Sequence, residues 1–170
     1  AVVKAAMESG VATRPIEDLD AYRVKLQGYV NQAGLFMQPM IEKAKQGPKR
    51  RIVYAEGEND DVLMSMQAMV DEAVAKPILI GRQSVIKTSI ERLSLRFKLG
   101  EDVEVFDPKD CDLHDRYWQH YHKKVARKGI SIDSAKQEMR NNSTALASVM
   151  VDLDEAHGMI CGKVGRFDTH

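Results

Sequence analysis

The sequence predicts an α/β protein in which a parallel sheet alternates with helices and a helical segment comes first. Four short apolar runs, IVYA, PILIG, VEVF and GMICG, are bounded by glycine, proline or charge, as strands buried on both faces of a parallel sheet are. Between them, apolar residues return at three- and four-residue steps, the period of a helix. The repetition of strand, helix and strand implies an α/β layer.

Residues 1–9 read as a helix without an N-cap, ended by Gly10, and this start suggests a segment cut from something longer. After VATRP, the face made by Leu19, Tyr22, Leu26, Tyr29 and Val30 predicts a second helix entered through Pro15. A third is expected from about Leu35 to Lys45, with Pro39 in its first turn or kinking it. KQGPKRR, with Gly47 and Pro48, then marks a boundary.

IVYA leads into a helix expected from Asp60 to about Ala75, with Val62, Leu63, Met66, Met69, Val70 and Ala73 as its stripe. PILIG follows Lys76. Ser84 is placed to cap the next helix, whose Val85, Ile86, Ile90 and Leu93 share a face, and a turn at Gly100 leads to VEVF at 103–106. The long connection from Asp107 to Glu155 carries a helical face of Tyr117, Tyr121 and Val125, with Trp118 alongside, stopped at Gly129 after ARK. A shorter helix from about Asp133 to Arg140 follows. Asn142 or Ser143 then caps a helix bearing Leu146, Val149, Met150 and Leu153, which delivers the chain to GMICG.

Composition narrows the function classes. The 170 residues suit one core, and 25 basic against 25 acidic residues leave no net field to draw nucleic acid or an anionic membrane. Cys111 and Cys161, fifty positions apart, form no CxxC pair and read as thiols of a reducing compartment. No apolar run approaches the roughly 20 residues of a membrane span, and AVVKAAMESG lacks a signal-peptide profile, so a cytoplasmic protein is expected.

The turn EGENDD places Glu56, Glu58, Asp60 and Asp61 where many α/β proteins carry phosphate-binding glycines. Acids in a first helical turn favour its dipole by about 0.3–1 kcal/mol each, and Asn59 or Asp60 can cap it. A calcium loop would need a glycine and a distal glutamate at spacings absent here. His114, His120 and His122 share a helix, yet no two stand at the i, i+4 spacing of a zinc pair. Cys161, in an apolar run, reads as a small core residue. GKVGRFDTH follows the last strand and supplies Gly162, Lys163, Gly165 and Arg166 as an anion cradle, provided a helix begins near Asp168. Neither the dinucleotide fingerprint nor the P-loop spacing is present, and no catalytic set emerges.

RIVYAEGENDDVLMSMQAMVDEAVAKPILIGRQSVI resembles the opening of the phosphate acetyl/butaryl transferase family, and the similarity continues through RKGIS, the helix before VMV and the GMICG strand. AAMESGVATRPIEDLDAY, WQHYHKKVARKG and MICGKVGRFDTH resemble the version fused behind the catalytic region of large bacterial NADP-dependent malic enzymes. The resemblance implies that residues 1–14 end a malic enzyme catalytic region, 15–47 form a helical linker, and 48–170 begin a phosphotransacetylase-like domain. It implies a three-layer parallel-sheet lobe of a two-lobed domain that binds acyl-CoA and phosphate between its lobes, with most of the catalytic part beyond His170. Acetyl-CoA is the implied effector and a homo-oligomer, at least a dimer, the implied assembly. NADP and a divalent metal, Mg or Mn, are implied for the region before Ala1. Active transferases of this kind carry an arginine four residues before a glycine that aligns with Gly129. Val125 stands there, which weighs against acetyl transfer, and Arg127 is the substitute a one-residue shift would bring closer. The alternatives are an active phosphate acetyltransferase or a purely structural oligomerisation module.

Overall fold

The computed structural model describes residues 2–12, 14, 16, 18–30, 32–109 and 111–166, in two compact units, 1–43 and 44–170. In the first, α1 (Val2–Glu8) stops at Gly10, whose φ of +73° lets its N–H donate to the Met7 carbonyl. Helix α2 covers Leu19–Val30, and Pro15, through which the sequence enters it, lies outside the described residues. At its start the Asp18 carboxylate accepts the Ala21 N–H at 2.9 Å and so satisfies one of the unpaired donors of a first turn. Helix α3 (Gln32–Gln46) begins before the expected Leu35, which leaves Pro39 inside the helix rather than in its first turn. There the ring removes the N–H that would have reached the Leu35 carbonyl.

The second unit holds a four-stranded parallel sheet in the order β3-β2-β1-β4, made of β1 (Arg51–Tyr54), β2 (Lys76–Ile80), β3 (Glu104–Phe106) and β4 (Gly158–Ile160). In register, Val53 faces Ile78 on one side and Met159 on the other, and Leu79 faces Val105. Side chains alternate between two cores, as the two-residue period of a strand requires. Val53, Ile78, Ile80 and Phe106 pack against α6 (Cys111–Val125), α7 (Ile132–Asn141) and α8 (Ser143–Asp152) through Tyr117, Met139, Leu146 and Met150. Tyr54 and Leu79 face the other way, onto Leu63 and Met66 of α4 (Asp60–Asp71) and Ile86 of α5 (Gln83–Arg92). The result is a three-layer α/β/α unit: the parallel sheet and helices follow the apolar runs and stripes, and the three layers are those the resemblance implies.

Several local expectations are corrected. Helix α4 ends at Asp71, not near Ala75, because Ala73 turns left-handed at φ +49° and its N–H and that of Val74 fold back onto the Val70 and Met69 carbonyls. Ser84 lies inside α5, whose N-cap is Arg82. Strand β4 is not buried on both faces: it closes one edge of the sheet and leaves Ile160 half exposed. Cys161, just beyond it, is exposed rather than a core thiol. Asn142 does cap α8, accepting the Ala145 N–H at 3.0 Å, and Gly129 stops the 3-10 turn Ala126–Lys128 at φ +82°. No described helix is long and apolar enough to cross a membrane.

Candidate functional site

Every strand of the sheet runs the same way, so the turns after β1, β2, β3 and β4 gather at one end, where open parallel sheets bind their ligands. The turn after β1 runs close against β2. A Cβ on Gly57 would lie 2.7 Å from the Ile80 carbonyl oxygen and 2.8 Å from the Leu79 Cβ, and the Gly57 N–H donates to that same carbonyl at 3.0 Å. Only glycine allows this approach. The turn then passes to Asn59, whose side-chain Oδ1 caps α4 by accepting the N–H groups of Asp61 and Val62.

The four acids of this turn each find a partner. Glu56 accepts three backbone N–H groups from the loop after β4: Gly162 and Val164 donate to Oε1 at 3.1 and 3.0 Å, and Lys163 to Oε2 at 3.1 Å. Glu58 takes the Arg82 guanidinium in two parallel bonds of 2.9 and 2.7 Å, plus the Arg82 backbone N–H at 2.8 Å. The hydrogen bond from that guanidinium is the main reason the Glu58 carboxyl is held below its ordinary range. Asp60 pairs with Arg92 at 2.6 Å and Asp61 with the Lys163 ammonium at 2.7 Å, which raises the lysine's pKa. Acids that would repel a phosphate from the β1 turn thus act as the anions of the site.

Beside them opens a cavity of about 460 Å³. Glu56 and Glu58 line its β1 side, Arg82 the β2 side and Lys109 the β3 side, while Arg140, Asn141 and Ser143 come from the junction of α7 and α8. The N-terminus of α8 adds the positive end of a helix dipole. Three cations and three carboxylates, counting Asp107, give walls of mixed charge. Such walls can orient a ligand that carries both anionic and neutral polar groups.

Of the residues singled out from sequence, Gly162 and Lys163 sit together in the loop that receives Glu56, and Gly165 follows at φ +96°. Arg166 is exposed, and the helix expected near Asp168 lies outside the described residues. None of Gly162, Lys163, Gly165, Arg166 and Arg127 is among the residues lining the cavity, to which the loop after β4 contributes Val164, and Arg127 stands exposed on the 3-10 turn after Val125. His120 pairs with Asp152, and His122 Nε2 lies 3.1 Å from the Ile130 carbonyl. Among the described residues, no three His, Cys, Asp or Glu side chains are grouped to hold a metal. Arg82, Lys109 and Arg140 escaped the sequence reading. Their only signal was position, at or just after a strand end or beside a helix start.

Over all 170 residues the chain is 45% identical to an NADP-dependent malic enzyme of Haemophilus influenzae and 42% identical to an NAD-dependent malic enzyme of Rhizobium meliloti. In each case it spans 22% of the relative's length. Among solved structures it is similar to a phosphotransacetylase from Streptococcus pyogenes, with a TM-score of 0.68 over 78% of this chain and 39% of that one. At 16% identity this is a likeness of fold. The family pattern of phosphate acetyl/butaryl transferases matches residues 35–170, well over half the sequence, and the chain therefore belongs to the phosphate acetyl/butaryl transferase family.

Proposed function

We propose that this chain is part of a regulatory, acyl-CoA-sensing and oligomerising domain of an NADP-dependent malic enzyme, which converts malate to pyruvate and CO2 in the cytoplasm. The observation that carries this reading is a transferase-family domain whose whole length is similar to malic enzymes. The cavity supports the sensing role. Arg140 and Lys109 are placed to meet phosphate oxygens of an acyl-CoA, with Asn141 and Ser143 offering hydrogen bonds at the start of α8. Val125, standing where the resemblance puts an arginine, favours binding without transfer.

NADP and the divalent metal do not fit the residues described here. The turn after β1 presents acids instead of the glycines that let a backbone approach a pyrophosphate, and no metal-ligand group of three is formed among the described residues. In this reading both belong to another part of the malic enzyme. Oligomerisation is supported by α3, which exposes Phe36 and Met40 one turn apart with Met37 beside them. The effector acts by binding two conformations of the assembly unequally, and a coupling of about 1–3 kcal/mol alters affinity roughly 5- to 150-fold.

The family match favours a second reading, an active phosphate acetyltransferase. Calorimetric titration of acetyl-CoA into the full native chain tests the first. Saturable binding is expected, weakened about 10- to 100-fold by Arg140→Ala, the loss typical of a charged hydrogen bond. No binding at millimolar acetyl-CoA contradicts the sensing role, and acetyl phosphate formation by the same chain supports the second reading.

A further inference from the structure

The end of the sheet away from the cavity carries a histidine that works as part of the backbone ladder. Where β1 and β4 begin, two residues exchange hydrogen bonds: the His157 N–H donates to the Arg51 carbonyl at 2.8 Å, and the Arg51 N–H donates to the His157 ring nitrogen Nδ1 at 3.0 Å. In a regular parallel ladder that second donor would reach a backbone carbonyl, as the Ala55 N–H reaches Ile160 at 3.0 Å. The imidazole stands in for the carbonyl and adds a rung to a pairing that is three residues long. A backbone amide can only donate, so Nδ1 is the unprotonated nitrogen and the ring proton sits on Nε2.

Protonation undoes this arrangement, because it sets a second N–H against the Arg51 amide where that amide needs an acceptor. Histidine is the side chain that changes charge between about pH 5 and 8. His157 is exposed, and it lines a cavity of about 450 Å³ with Arg50, Asp154 and the apolar Ile52, Val151 and Ala156. Of the other charged groups around it, Arg51 turns its guanidinium to Glu104 at 2.6 Å, Glu155 is engaged by Arg116 and the Tyr117 hydroxyl, and Lys76 stands on β2, across β1. Arg50 and Asp154, one of each sign, share the cavity wall with the imidazole.

We infer that the joint between β1 and β4 is a pH-sensitive latch, closed at the start of both strands by the neutral His157 ring and opened there when the ring is protonated. The stability this rung adds is present while His157 is neutral and is lost as pH falls through its protonation. Among the described strands β4 pairs with β1 alone, and the loop after it brings Val164 to the wall of the cavity at the opposite end of the sheet. Opening the latch therefore loosens the strand that carries that wall. The latch does not depend on what the cavity binds.

Hydrogen–deuterium exchange of the full native chain, read at single amides at about pH 8 and about pH 5.5 and corrected for the intrinsic effect of pH, tests this. The Arg51 amide is expected to exchange about fivefold faster at the lower pH, the factor a single hydrogen bond is worth, while the Ile78 amide of the adjoining β2 keeps its rate. In His157→Asn the side-chain oxygen takes the place of Nδ1 and accepts at any pH, so Arg51 is expected to stay as protected at the lower pH as at the higher. Equal exchange at Arg51 in the native chain at both pH values overturns the inference. So does a loosening that Arg51 and Ile78 share, or a His157→Asn chain as pH-sensitive as the native one. Should His157→Asn fail to fold, His157→Gln replaces it, and if neither folds the native comparison of Arg51 with Ile78 decides the matter.

Discussion

Glu58 shows how one side chain serves both the fold and the site. Its carboxylate holds Arg82 by side chain and backbone, and this ties the turn after β1 to the start of α5. Because the guanidinium lowers the Glu58 pKa, the pair contributes stability that is fully present above the ordinary glutamate value of 4.5 and is lost as pH falls through the lower folded value. Glu58→Gln is therefore predicted to lessen stability near neutrality and to flatten the acid limb below about pH 4.5, read from urea midpoints measured across pH. A native-like acid limb in the variant contradicts this. The capping and dipole roles of EGENDD were legible in the sequence, since caps depend on neighbours within a few positions. Its partners were not. Arg82, Arg92, Lys163 and the amides of 162–164 lie 24 to 108 residues away, brought in by strand order that local spacing does not encode.

At the scale of elements, the strands and helices of the sheet unit announce themselves because burial on two faces imposes apolar runs and helical stripes. The ends of three helices do not. After α4, α5 and α8 the chain reverses through the same pair of backbone bonds, with Ala73, Ser94 and Asp154 left-handed at φ +49°, +53° and +58°. Glycine usually marks such endings, and none of the three carries it. Aspartate tolerates the conformation through local hydrogen bonding, whereas alanine and serine bear more of its cost, about 1–2 kcal/mol. Ala73→Gly and Ser94→Gly are each predicted to raise stability by about 0.5–1 kcal/mol, visible as a higher urea midpoint with an unchanged slope. A lower midpoint in both contradicts the strain. The same dependence on tertiary context explains Ser84, which reads as a cap until Glu58 fixes the backbone of Arg82 two residues earlier.

For the whole molecule, the sheet, its order and its two cores describe a transferase-family unit, and the similarity along the full chain supplies the malic enzyme setting. EGENDD, read from the sequence as a helix start, and GKVGR, read as an anion cradle, prove to be complementary halves: the acids of one satisfy the amides and ammonium of the other. The most direct measurement is malate-dependent NADPH production by the full native chain under an acetyl-CoA titration, repeated on a chain truncated just before Lys49. The account predicts that acetyl-CoA shifts the activity of the intact protein and leaves the truncated one unmoved. Equal activity and equal response in the two forms contradict it.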